Sequence, residues 1–194
     1  MALAFLPREG WAGEAETPAP LSRKGCGRAI AIQERGEWQR LSPGLEYREM
    51  VLQAKGELSR VGVKLLRVEP EAIEVRVVHF ESLGMSSSTV KELAERTGAV
   101  AAINGGFFGT DGRPLGFLVA AGRVINGRVR GRGKRKDLHY SAIFFIRGGK
   151  PFIVHRDFFS PSGVEHALQA GPHLIHLGKP TGGLDLYREN RRIA

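Results

Sequence analysis

The sequence predicts an α+β domain built on a mixed, largely antiparallel sheet with one or two short helices. Twenty-six glycines and ten prolines among 194 residues demand a chain that turns often. Short alternating or β-rich runs recur from residue 46 onward, and one segment, 89–98, carries complete helix punctuation.

Residues 1–40 show no sustained period. Glu14–Pro20 reads as a polar, proline-containing linker, and Ser22–Gly27 is small, basic and glycine-rich. A poorly ordered N-terminal segment is expected there, with one domain over 41–194 that opens at Leu41-Ser-Pro-Gly-Leu-Glu-Tyr47. Glu46–Ala54, Val61–Val68 and Ala72–Phe80 read as strands. The turn Glu69-Pro-Glu71 implies that the last two form an antiparallel pair.

Thr89 and Glu92 form a capping box and Gly98 supplies the C-terminal stop, so Val90–Thr97 is a helix. Ala99–Ile103 is an apolar run between glycine signals and reads as a buried strand. Gly116–Ala121 and Val124–Ile125 flank the tight turn Ala121-Gly-Arg123. Ser141–Ile146 and Pro151–Val154 flank Arg147-Gly-Gly-Lys150, a hairpin signal. Val164–Ala170 is read as a helical turn and Pro172–Leu177 as a strand.

Composition narrows the partners. The apolar share of 42% and charged share of 25% are those of a globular chain, and the net charge of +9 favours anionic partners. A single cysteine, Cys26, excludes an internal disulfide and a cysteine-based zinc cage. No apolar run reaches the roughly eighteen residues of a membrane helix, and Met1–Leu6 is too short for a secretory signal.

The most informative segment runs from Ala101 to Gly116. A strand ends in Asn104, whose amide both donates and accepts. Gly105 and Gly106 then free the backbone to approach a ligand, and the bulky Phe107 and Phe108 follow directly. Read from the residues, this is a strand-to-turn connection with packing aromatics or the floor of a pocket. Its glycine spacing fits neither a P-loop nor a dinucleotide turn.

Ala102-Ile-Asn-Gly-Gly-Phe-Phe108, followed by Pro114-Leu-Gly116, resembles the signature of the phosphodiester glycosidase family. Leu41–Tyr47, Val63–Val78 and Ala167-Leu-Gln-Ala-Gly-Pro-His-Leu-Ile175 are similar to flanking family stretches, so the resemblance covers about residues 41–194. It implies hydrolysis of a sugar-1-phosphodiester, with Asn104 as the residue that hydrogen-bonds the sugar or phosphodiester. Gly105, Gly106, Phe107, Phe108 and Gly116, with Gly171 and Pro172 of a later turn, are implied to line the same cleft. It also implies a secreted or cell-envelope setting linked to exopolysaccharide, and no cofactor.

The family pattern continues with arginine–threonine–alanine and leucine–aspartate–glycine–glycine stretches that this chain does not carry. The alternative expectation is therefore an incomplete or inactive fragment that a complementing C-terminal polypeptide finishes, with sheet edges left uncovered. A third expectation is a module that binds acidic glycan or nucleic acid through Arg128–Lys136, six basic residues in nine positions. No aromatic is interleaved there, so nucleic acid is disfavoured and a solvated loop preferred.

His155, Asp157, His166, His173 and His176 lie near one another in sequence but match no zinc spacing, so no metal site is expected. Asp111, in Thr-Asp-Gly-Arg, and Asp157 are the central carboxylates; a turn or surface role is expected for both.

Overall fold

In a computed structural model of the chain, the described residues are 1–8, 30–54, 60–132 and 138–181. Cys26, the Glu14–Pro20 linker, the Ser22–Gly27 stretch and most of the basic run after Arg132 lie outside them. In chain order the elements are β1 (Ala2–Pro7), β2 (Ile30–Arg35), β3 (Gln39–Ser42), β4 (Leu45–Ala54), β5 (Arg60–Val68) and β6 (Ile73–Val78). There follow α1 (Val90–Thr97), β7 (Ala101–Asn104), β8 (Leu118–Ala120), β9 (Arg123–Asn126), β10 (Ala142–Arg147), β11 (Lys150–His155), β12 (His166–Ala170), β13 (Ile175–His176) and β14 (Lys179–Pro180). Sheet dominates, with one α-helix and three short 3-10 turns among the described residues. Among the described residues no helix is long and apolar enough to cross a membrane.

The chain divides into two compact units, Pro7–Glu74 and Met1–Leu6 with Val75–Ala194. The division falls at residue 74, inside what the sequence suggested was a single domain from 41. In the Pro7–Glu74 unit the ten-residue β4 is central, pairing antiparallel with β2, β3 and β5. The guanidinium groups of Arg48 and Arg67 each lie over the Trp38 ring at 4.4 Å, and Arg67 is paired with Glu46.

The other unit carries the segment of interest. A three-stranded sheet runs β6-β1-β7, and a five-stranded sheet runs β11-β10-β12-β8-β9. The second is antiparallel at every junction and folds about two tight turns. Ala121 and Gly122 take φ of 49° and 73°, and Gly148 and Gly149 take 58° and 70°, the left-handed pairs that a two-residue hairpin needs. Ile143, Phe145 and Ala167 bury one face of this sheet with Phe117, Val119 and Phe159. Leu118 and Leu168 bury the other with Val77. Ala2 and Ala4 pack with Val78, Phe80 and Leu93 of α1.

Several expectations are corrected here. Ala2–Pro7 is not loose: it is the middle strand of a sheet, and Ala2 and Ala4 are fully buried. β5 pairs with β4 and β6 with β1, so the Glu69–Glu71 turn does not close a hairpin. β7 is not a buried strand, because it stands at the end of its sheet and Ile103 is 47% exposed. Val164–Ala170 is no helical turn; His166–Ala170 is the central strand of the larger sheet, buried on both faces. Its alanine, leucine and glutamine are helix formers, and burial between two strands overrides that preference. Pro172–Leu177 contributes only the two-residue β13.

His79 has a consequence for stability. It is 1% exposed, neither ring nitrogen has a hydrogen-bond partner, and the nearest carboxylate, Glu81, is 3.8 Å away. Burial, helped by the Met1 ammonium and Arg123 against the pull of Glu81, holds its pKa below the ordinary histidine range. The unfolded chain therefore takes up the proton first, and stability is lost as pH falls below about 6.5. His173, lowered chiefly by burial and then by His155 and His176, adds in the same direction. Urea midpoints should drop between pH 7.5 and 5.5, and His79→Phe should shrink that drop.

Candidate functional site

The Asn104–Gly116 loop is pinned at both ends on β12. α1, closed by the reciprocal Thr89–Glu92 capping bonds and by Gly98 at φ 67°, delivers the chain to β7. β7 ends at Asn104, and a Cβ on Gly106 would stand 2.6 Å from the Gln169 carbonyl oxygen. At the far end a Cβ on Gly116 would stand 2.9 Å from the Gln169 Cβ. Both glycines are thus required by close approach to one residue. Between them the loop doubles back: Leu115 N–H donates to the Phe107 carbonyl and Gly109 N–H to that of Arg113, both at 2.9 Å. Asp111 Oδ1 accepts from Arg113 N–H at 3.1 Å and fixes the tip.

Gln169 is the anchor of this region. Its Oε1 accepts from the N–H groups of Phe117 (3.1 Å) and Arg130 (2.8 Å). Its Nε2 donates to the carbonyls of Arg130 (2.9 Å) and Tyr140 (2.8 Å). All four bonds of the amide are made at 1% exposure. The sequence signal was a lone amide inside Ala167–Ala170, and the reading above did not use it.

A cavity of about 610 Å³ opens beside the loop. Asn104, Phe108 and Gly109–Gly112 form one wall, and Ser86–Val90 with Phe80, Leu93 and Met1 form the rest. Phe108 is 61% exposed. Among the described residues no hydrogen bond occupies the Asn104 amide, and the N–H groups of Gly106, Phe107 and Phe108 have no backbone acceptor. Gly105 N–H is spent on the Met1 carbonyl at 3.4 Å. Phe107 turns the opposite way, edge-on to Tyr140 at 5.4 Å and to His139 at 6.4 Å. One phenylalanine thus faces the cavity and the other anchors the bend.

The later turn does not join this cavity. A Cβ on Gly171 would meet the Leu138 and His139 carbonyl oxygens, and Gly171–Pro172 is a cis bond packed at that spot. The chain then passes His173, whose N–H donates to Ser141 Oγ at 2.8 Å, into a second cavity of about 590 Å³. There His155, His173 and His176 stand with ring centroids 6.0 and 5.6 Å apart, beside Asp157 and Lys179. His155 Nδ1 accepts from Asp157 N–H at 3.4 Å. His166 belongs to neither cavity: its Nδ1 accepts from Val77 N–H (3.3 Å) and Ala121 N–H (3.1 Å). Among the described residues no group of three or more histidines, cysteines or acids is arranged to hold a metal.

The basic run differs from a solvated loop where it is described. Arg130 lies over the Tyr140 ring at 4.6 Å and donates to its hydroxyl at 3.0 Å. Arg132 donates to the carbonyls of Arg156 and Phe159. These two arginines hold the 130–132 stretch against the 3-10 turns at 138–140 and 156–158.

Residues 97–192 match the family model described as phosphodiester glycosidase. That segment includes the Asn104–Gly116 loop, β12 and both glycine turns, while Leu41–Tyr47, Val63–Val78 and the Ser86–Val90 wall lie outside it. No curated protein and no solved structure matches the chain. By its loop signature and by this match, the segment 97–192 is similar to the phosphodiester glycosidase family.

Proposed function

We propose that the cavity beside Asn104 receives the sugar of a sugar-1-phosphodiester and that the chain hydrolyses the bond between that sugar and the phosphate. The observation that carries this reading is an unspent Asn104 amide on the wall of a cavity of about 610 Å³, next to the exposed Phe108 ring, within the family-matched segment. An amide that donates and accepts suits vicinal hydroxyls, and an aromatic face suits the apolar face of a pyranose. The N–H groups of Gly106–Phe108, which have no backbone acceptor, are free to serve the phosphodiester oxygens, where charge shifts as the bond breaks. The net charge of +9 draws anionic substrate toward the protein as a whole.

Release of free sugar from a synthetic glucosyl methyl phosphodiester tests the reading. The wild type should release sugar, and Asn104→Ala should lower kcat/KM by about tenfold, the scale of a lost hydrogen bond to a sugar hydroxyl. Turnover unchanged by that substitution removes Asn104 from the site.

A second reading, that another polypeptide completes this domain, is supported by apolar side chains left in solvent. Ile153, Phe158, Ile175 and Leu177 are 64%, 73%, 62% and 88% exposed. Under it, the isolated chain binds the phosphodiester weakly and does not turn it over until the completing polypeptide is added.

A further inference from the structure

The second cavity gathers donors from separate elements. His155 ends β11 and caps the 3-10 turn that follows. Its Nδ1 accepts from Asp157 N–H, so the neutral ring carries its proton on Nε2 and presents a donor there. His173 follows the cis Gly171–Pro172 bond. His176 and Lys179 are paired in register across the β13–β14 hairpin, which turns at Leu177 and Gly178 with φ of 48° and 76°. Thr181 is tied back to the Leu174 carbonyl by its own N–H at 2.8 Å. All five residues line the cavity of about 590 Å³.

Two of these groups are buried and unspent. His173 is 5% exposed, and among the described residues its ring makes no hydrogen bond, only ring contacts with His155 and His176. Thr181 Oγ1 is out of solvent with no hydrogen-bond partner among the described residues. Buried polar groups left in this way carry a cost that a bound acceptor relieves. Phe158, Leu177 and Pro180 add apolar surface beside them, where a charge-assisted hydrogen bond is less screened. The Asp157 carboxylate also lines the cavity, and it lies 3.7 Å from Arg156 Nε, which offsets its charge in part.

We propose that this cavity is a second binding site, for a tetrahedral oxyanion of the phosphate class, held by His155, His173, His176 and Lys179 with the Thr181 hydroxyl. It is independent of the Asn104 cavity and of any sugar. Lys179 supplies a permanent positive charge, and the imidazoles supply N–H donors that gain charge on protonation. Burial, followed by the positive charge of His155 and His176, holds the His173 pKa below the ordinary histidine value. An anion among the three rings acts in the opposite direction.

The experiment titrates the full chain with sodium sulfate, which stays a dianion across the pH range used, and separately with inorganic phosphate and methyl phosphate. Nitrogen-15 spectra of the imidazoles give the readout, at constant ionic strength. Saturable shifts at His155, His173 and His176 are expected with all three anions, and the His173 pKa should rise by about 1 on saturation with sulfate. Lys179→Gln should weaken sulfate binding about tenfold, the scale of one charge-assisted hydrogen bond. Lys150→Gln, which removes an exposed lysine of the β10–β11 hairpin, should leave it unchanged. The proposal is overturned if no anion saturates the imidazoles, or if the His173 pKa does not move. It is equally overturned if the two lysine variants weaken binding alike, or if the sulfate response falls on the Gly106–Phe108 amides instead.

Discussion

Gln169→Ala should cost about 3–5 kcal/mol of folding free energy, read from the shift of the urea transition, because several buried groups lose their partners together. The substitution orphans the N–H groups of Phe117 and Arg130 and the carbonyls of Arg130 and Tyr140. None of these can be re-solvated without opening the space between β12 and the 127–132 loop. Gln169→Glu discriminates a packing role from a hydrogen-bonding one. It keeps the volume and the accepting oxygen but turns the donor that serves two carbonyls into a second acceptor. If bonding dominates, Glu should be nearly as damaging as Ala. If packing dominates, Glu should be mild.

Gly106→Ala should be the most damaging single change in the bend, at about 3 kcal/mol, with loss of ligand binding. The added methyl would stand 2.6 Å from the Gln169 carbonyl oxygen, a backbone atom of the central strand. Neither partner can turn aside, so the bend must lift off β12 and carry Asn104 and Phe108 with it. Gly62→Ala is the control: a Cβ there meets nothing within 4 Å and the backbone is not in the left-handed region. Its midpoint should stay within about 0.5 kcal/mol of the wild type, or rise, since alanine lowers the entropy of the unfolded chain.

Local signals in the sequence were read well, because local chemistry determines them. The Thr89–Glu92 box and Gly98 fix α1 at both ends, and the Ala121-Gly122 and Gly148-Gly149 turns fix two hairpins. Strand partners were not legible in the same way. Nothing local in Ala2–Pro7 says that it will slip between β6 and β7, since that pairing joins residues about a hundred positions apart. The same holds for β12, whose composition favours helix and whose neighbours impose a strand.

The site was legible at its loop and illegible at its opposite wall. Asn104, Gly105–Phe108 and Gly116 stand out through spacing and resemblance, whereas Ser86–Ser88 read only as the approach to a helix. Gly171 and Pro172 were expected in the same cleft, but they pack on the 138–139 backbone and lead to the histidine-lined cavity instead. Asp111 was read as a turn residue. It is one, and the same turn sets its carboxylate on the cavity wall.

The most direct test of the central claim is to titrate the isotopically labelled chain with glucosyl methyl phosphodiester and follow amide and side-chain resonances by NMR. The account predicts saturable shifts at the Asn104 side-chain amide, at the Gly106–Phe108 backbone and at Ser86–Ser88. Shifts confined to His155, His173 and His176, with the Asn104 amide unmoved at saturation, would contradict it.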